Sequence, residues 1–411
     1  MQTSERPPLL DVRAATESKE PSTTGSGDGA APRKPEPERA PIEDTSKKTA
    51  SLETAAYTDN DHVTVFTPSV TGSVENVVDG ASIRGSYLVD VVSAASVDIL
   101  ATATKRWTEV RHAGVLSGTY KPHDLGVGFS GSASSEPDYF SFGAAGHLSY
   151  DLNEKNTALF AGYGFGRDTA GRHGTPFAVF ARTLTRGSFL AGVDQVIDHA
   201  TLASFSGSLI IENGDQSKPY RYIPLFSPEE AANVPKGASI DYVNAHRTFE
   251  RPLEQLPLSR KRYAIAADLA HRFETSTIRA SERFYFDSWG VKASTTDARW
   301  FFDVGTRVRV WPHLRFHGQS SVVFWQRAYV SNASTGWDLP LYRTGDRELG
   351  PLVAFTGGAG AKFFLGSDAH PRFIAISPEI DAIYTSYLDD LYITSRTGIL
   401  GTLTFEVGEE Q

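Results

Sequence analysis

Residues 139–151 read YFSFGAAGHLSYD. Phe140, Phe142, Ala144, Gly146, Leu148 and Tyr150 carry apolar or small side chains, whereas Ser141, Gly143, Ala145, His147, Ser149 and Asp151 carry polar or tiny ones. A strand of period two with one wholly apolar face must lay that face against a core or a bilayer. The same alternation recurs in segment after segment from Val63 to Val407, with few helical stretches between. It predicts an all-β chain, a transmembrane antiparallel β-barrel of 14 to 16 strands.

Composition fits that reading. The 411 residues are 40% hydrophobic and 22% charged, with no cysteine and one methionine. A mean hydropathy of -0.28 is too polar for a bundle of spanning helices, and no stretch reaches the roughly 18 apolar residues that a spanning helix needs. It suits a barrel, in which only every second strand residue meets lipid. The lack of cysteine excludes a disulfide scaffold, thiolate metal ligands and a lipoprotein anchor. A net charge of -9 argues against nucleic acid as a partner. Residues 1–30 show no secretory signal, so a mature, exported chain behind an added Met1 is expected.

Two regions emerge. Residues 1–60 are rich in proline and mixed charge and contain no aromatic residue before Tyr57. Such a segment buries too little apolar surface to offset its ordering entropy and is expected to be disordered. Residues 61–411 would form the barrel. Tight connections are expected at Glu274-Thr275, at Pro312 and at 366–371, and long polar loops at 213–259 and 330–349.

Charge decides which face is lumenal. Near 297–311, Trp300, Phe302, Val304, Val308 and Val310 share one parity, and Arg299, Asp303, Arg307 and Arg309 the other. An arginine against mid-bilayer hydrocarbon costs about 2–4 kcal/mol in a barrel, so the arginines must face inward. On the following segment Arg315, His317, Gln319 and Ser321 oppose Leu314, Phe316, Val322 and Phe324; on the preceding one Arg279, Ser281, Arg283, Tyr285 and Asp287 oppose Ile278, Ala280, Phe284 and Phe286. Trp300, Phe302, Phe316, Phe140 and Phe142 are therefore expected to touch lipid of the outer membrane. Glu282 breaks the rule by falling on the apolar parity. Tyr120, Tyr150, Tyr163 and Tyr263 suit interfacial girdles. The last segment alternates through Ile399, Gly401, Leu403, Phe405 and Val407, a C-terminal pattern similar to the one that the barrel-insertion machinery reads.

Several short stretches resemble a family of bacterial proteins of about this length, catalogued only as a domain of unknown function. They are DVVSAAS at 90–96, SEPDYFS at 135–141, DLNEKNT at 151–157, RASERFYFDSWG at 279–290 and RFHGQS at 315–320. The motif order holds from about 60 to 407. Ala94, where the resemblance leads one to expect glycine, and Phe286, where it leads one to expect tyrosine, depart from it. The resemblance implies an outer-membrane barrel, with a role near extracytoplasmic redox proteins as a further implication, and no established activity.

The inward face carries the candidate functional groups. Arg279, Arg283, Arg307, Arg309 and Arg315 should form a basic patch, with Asp287, Asp303, Glu379 and Asp381 placed to oppose it. An open lumen of this kind would set up a transverse field favouring small polar or anionic solutes. Alternatively the charges pair and fill a closed barrel that serves as a scaffold in an envelope assembly. No enzyme is expected: His147 with Ser149, or His317 with Gln319 and Ser321, supply hydrolase residue types, but polar residues belong on a lumenal face anyway. No metal or cofactor is expected either. Asp59, Asn60, Asp61 and His62 lack the glycine and distal glutamate of a calcium loop, and Gly357, Gly358 and Gly360 lie in a strand pattern, where glycines mark bends or close packing.

Overall fold

The computed structural model describes residues 46–76, 79–94, 107–219, 221–331, 339–365 and 372–410. Sixteen strands close into one antiparallel barrel. They are β1 (Ser46–Asp59), β2 (Val63–Asn76), β3 (Ala81–Ala94), β4 (Trp107–Tyr120), β5 (Leu125–Glu136), β6 (Tyr139–Leu152), β7 (Thr157–Ala170), β8 (Arg182–Asp198) and β9 (Thr201–Gly214). After a two-residue β10 (Leu225–Phe226) come β11 (Ser259–Arg272), β12 (Ser276–Asp287), β13 (Lys292–Val304) and β14 (Val308–Gln319). A second short strand, β15 (Tyr329–Val330), precedes β16 (Leu352–Phe364), β17 (Arg372–Tyr387) and β18 (Ser395–Glu410). β18 pairs with β1 to close the ring, and β10 pairs with β15 outside it.

The two ends differ. One, the turn end, carries the connections 121–124, 153–156, 199–200, 273–275 and 305–307, together with the start of β1 and the end of β18. The other, the loop end, carries 215–258 and 320–351 besides shorter links. Short turns on one side and long loops on the other are the arrangement of outer-membrane barrels.

Three expectations need correction. Residues 46–59, placed in the disordered segment, form β1; residues 1–45 lie outside the described residues. β1 was hidden because its outward row is Ala50, Leu52, Thr54 and Ala56, small residues with one large apolar side chain among them. Pro312 is no turn. The hairpin turns at Gly305-Thr306-Arg307, so the stretch 297–311 belongs to two strands, and the alternation expected to run on through Phe324 ends with β14 at Gln319. The expected connection at 366–371 lies outside the described residues.

Proline inside these strands follows a rule. Pro68, Pro312 and Pro378 all fall on the outward parity, and beside each the ladder to one neighbour lapses. The pairs Arg299–His313 and Phe302–Val310 flank the gap at Pro312, while on the other side Pro312 stays in register with Ala359. A residue without an N–H can sit in a sheet where one ladder rung is given up.

The long loops build a cap over part of the mouth. Helix α1 (Pro228–Asn233) starts at Ser227 and helix α2 (Ile240–His246) at Ser239, each serine hydroxyl accepting a hydrogen bond from a first-turn N–H. Phe226, Val234, Ala238, Val243 and Leu391 form one buried cluster; Leu256, Trp289, Val291 and Val322 form another. The buried Glu254 ties the two loops together by accepting from Thr344 Oγ1 (2.6 Å) and the Lys218 backbone N–H (2.9 Å). The Tyr329 hydroxyl, which burial pushes up to about 12, donates to the Phe324 carbonyl (2.9 Å) and accepts from Thr344 N–H (2.9 Å). Buried Arg347 reaches Asp61 in the β1–β2 link, so the cap is fastened to the rim from β11 round to β1.

Candidate functional site: the charged wall of the lumen

Strand register places one inward row across five neighbouring strands: Arg279 on β12, Arg299 on β13, His313 on β14, Gly358 on β16 and Asp381 on β17. The row nearer the loop end holds Ser281, Asp297, Arg315 and Thr356. Toward the turn end come Phe301, Trp311, Gly360 and Glu379, with the Phe301 and Trp311 rings 5.2 Å apart.

His313 is the hub. It is buried, with Nδ1 2.8 Å from Asp381 Oδ1 and Nε2 3.1 Å from Asp297 Oδ2. An imidazole donates to two carboxylates at once only as the imidazolium. The bond to Asp381 passes over bare backbone, because a Cβ on Gly358 would stand 1.8 Å from Asp381 Oδ1. Gly360 likewise makes room for the Trp311 ring. These are the close approaches that the glycines of this segment were expected to mark.

The arginines around the hub are anchored at one side and open at the other. Arg299 Nη2 lies 3.2 Å from Glu379 Oε1, and Arg315 Nη1 lies 3.8 Å from Asp297 Oδ2. Arg279 stacks over Phe301 at 5.4 Å. The Arg299 and Arg315 side chains nevertheless keep 40% and 36% of their surface, although both face inward from the body of their strands. Water-accessible space therefore adjoins this wall.

A second set of charges rings the loop end. Asp168 on β7, Arg186 on β8, Glu212 on β9 and Arg262 on β11 form a chain of ion pairs at 2.6, 3.5 and 2.9 Å. Asp90 pairs with Arg111 further round. Below this belt β5–β9 present mainly small inward residues: Ser130, Ser132, Gly143, Ala145, Gly162, Gly164, Ser188, Ser206 and Ser208.

The expected site residues separate into groups. Arg279, Arg283, Arg309 and Arg315 lie inward on β12 and β14, whereas Arg307 is exposed in the 305–307 turn, because the hairpin bends there. Asp303 holds Arg309 (2.7 Å) and Arg272 (2.5 Å) near the turn end. Asp287 is a rim residue: it accepts from Arg260 Nε (2.8 Å), the Tyr285 hydroxyl (2.8 Å) and the Trp289 N–H (2.9 Å). Glu379 and Asp381 do not oppose the arginines across the lumen. They stand on the same wall, since β17 is separated from β14 only by β16. Trp300, Phe302, Phe316, Phe140 and Phe142 face outward, as does Glu282, whose carboxylate accepts from the Ser294 hydroxyl at 2.6 Å and from Thr296. His313 escaped the sequence reading because the false turn at Pro312 cut its strand, and Asp297 because it stood at the very start of the stretch read as one strand.

The remaining candidates have local employment. His317 pairs with Thr295 Oγ1 (2.7 Å) and Gln319 (3.3 Å), and the His147 ring lies over Gly128. Asp59 accepts from the backbone of Asp61 and Val63, closing the β1–β2 turn.

Fold and lumen together define a transmembrane β-barrel of the outer-membrane type. The family model described as "Protein of unknown function (DUF3570)" matches residues 98–372, and the chain belongs to that family. A comparison with curated proteins finds no match. Among solved structures, the chain is similar to a ferric enterobactin receptor from Pseudomonas aeruginosa (9% identity, TM-score 0.41, covering 82% of this chain and 53% of that one). It is also similar to CdiB from Acinetobacter baumannii (8%, 0.45, 88% and 60%) and to a bacterial polysaccharide outer membrane secretin (10%, 0.42, 90% and 99%). The chain spans about half the length of the enterobactin receptor.

Proposed function

We propose that the protein is a channel of the bacterial outer membrane that passes small polar or anionic solutes between the charged wall and the small-residue wall. In this reading the loop end faces outward and the turn end faces the periplasm. The observation that carries it is the residual exposure of the inward Arg299 and Arg315 side chains, 40% and 36%, in the body of the wall. Sixteen strands give a barrel wide enough for an aqueous passage. The acids of the same wall fix the arginines in place, and the exposed surface of the Arg299 and Arg315 side chains meets the solute.

The cap favours a second reading, a closed barrel that acts as a scaffold in an envelope assembly, including one for extracytoplasmic redox proteins. Its loops bury inward-facing rim residues such as Leu352 and Tyr387. Planar-bilayer recording separates the two. Discrete ohmic steps from heat-modifiable, folded protein support the channel, and their persistent absence supports the scaffold. Replacing Arg279 and Arg299 with Gln should shift ion selectivity toward cations, while Arg307→Gln in the turn should leave it unchanged.

A further inference from the structure

The outer face of β11–β14 departs from the apolar belt at its loop end. Lys261 on β11 and Lys292 on β13 both point outward and are exposed, flanking Phe286 of the intervening strand. Each is fixed in the same way. The Lys261 N–H donates to Ser288 Oγ (3.0 Å) and its carbonyl accepts from the Ser288 N–H (2.9 Å); the Lys292 N–H donates to Ser320 Oγ (2.9 Å) and its carbonyl accepts from the Ser320 N–H (2.9 Å). The result is a ledge of fixed backbone that carries two lysine side chains and two exposed serines. Neither lysine side chain pairs with a carboxylate among the described residues.

Directly below the ledge, Phe284, Phe286, Lys292, Ser294 and Gly318 line an open groove. Its floor is low because Ser294 and Gly318 stand in register with Phe284. One wall is stiffened by the stacked Tyr263 and Phe286 rings, 5.0 Å apart. Deeper still sits the Glu282 carboxylate. The sequence of charge along the barrel axis is therefore basic at the rim, apolar in the groove and acidic beneath. An anionic head group meets attraction only at the ledge, and an attached chain can follow the groove.

We propose that this face binds a membrane lipid of the loop-end leaflet through its phosphate, with the phosphate on Lys261 and Lys292 and an acyl chain in the groove floored by Ser294 and Gly318. Charge complementarity selects the occupant: two unpaired cations at head-group height call for an anionic lipid rather than a zwitterionic one.

The test is native mass spectrometry of the full chain in detergent micelles, titrated with phosphatidylglycerol, phosphatidylcholine or inorganic phosphate. Phosphatidylglycerol should be retained at lower concentration than phosphatidylcholine. The double variant Lys261→Gln, Lys292→Gln should weaken that retention about 30-fold, the equivalent of about 1 kcal/mol per lysine near a membrane surface. Gly318→Leu, which raises the floor of the groove and leaves the lysines in place, should also weaken it. Lys48→Gln, an outward lysine at the turn end, should not. Heat-modifiable migration reports that each variant is folded. Equal retention of both lipids, undiminished retention by the double variant, or binding of inorganic phosphate as tight as that of the lipid would each overturn the proposal.

Discussion

The two walls of the lumen obey the same alternation and use it for opposite ends. From β12 to β17 the inward positions carry arginine, histidine and carboxylates; from β5 to β9 they carry mainly glycine, serine and alanine. On the first wall, groups are matched sideways, strand to strand, so that His313 is held by Asp297 and Asp381 and Arg299 by Glu379. On the second, bulk is sparse below the rim: His147, Phe160 and Leu190 stand among small side chains. The difference teaches that parity decides which residues look inward, whereas bulk decides where a solute can go. A charged wall whose groups satisfy one another is rigid, and the wall of mainly small residues leaves the space.

The largest effect should come from filling the small-residue wall. The double variant Ser132→Trp, Ala145→Trp places two indoles on adjacent strands of the small-residue side and is expected to remove most of the single-channel current. Thr356→Trp, on the already crowded wall, should cost much less. Equal losses from the two variants would mean that the passage does not run beside β5–β9.

Stability should invert that order. Asp381→Ala leaves the buried His313 with one carboxylate in place of two. Removing one partner from a buried ion pair costs about 3–5 kcal/mol, which should lower the urea midpoint of the folded band sharply. Ser206→Ala on the other wall should stay within about 0.5 kcal/mol of the parent. A smaller contrast of the same kind is expected at glycines. Gly358→Ala drives a Cβ to 1.8 Å from Asp381 Oδ1 and 2.4 Å from the Ile380 carbonyl, an overpacking worth about 1–3 kcal/mol. Gly164→Ala meets only the mobile Ser188 hydroxyl at 2.7 Å and the Ala145 Cβ at 3.4 Å, and should be nearly silent. If the two alanines cost the same, the crossing over Gly358 is not what holds the charged wall.

Much of this was legible in the sequence, and the failures have physical causes. Alternation located the barrel because hydrocarbon on one side and water on the other impose a period of two. It missed β1 because a strand tolerates small outward residues where its neighbours supply the bulk: Leu52 lies between Phe405 and Val70. It misplaced a turn because proline reads as a breaker, although an outward Pro312 interrupts the ladder to one neighbour only. Inward arginines could be named from charge cost alone. Their partners could not, since the nearness of Asp381 to His313 depends on knowing that 320–351 is a loop and that β16 lies between β14 and β17. The cap was invisible, because contacts such as Glu254 with Thr344 join residues far apart in the chain and leave no periodic trace.

The cap extends the contrast between the walls to pH, with the smallest effect expected here. It rests on the rim of the charged side, and Asp346 helps to hold it. Desolvation pushes the Asp346 carboxyl up, but Arg221, at 2.7 Å, Lys218 and the Glu348 N–H outweigh that and keep it well below the usual carboxylate range. A carboxyl depressed in the folded state stabilises that state fully above its unfolded value of about 3.9, and the contribution fades as pH falls below it. The cap should therefore be unaffected between neutral pH and about pH 5 and loosen in stronger acid. The fluorescence of Trp289 and Trp325, which pack in and against the cap cluster, should report the change while gel mobility shows the barrel still closed. Asp346→Asn should weaken the cap at neutral pH and flatten its acid response. An unaltered acid transition in that variant would assign the pH dependence to other carboxylates and leave the cap's hold on the charged rim to Arg347 and Asp61.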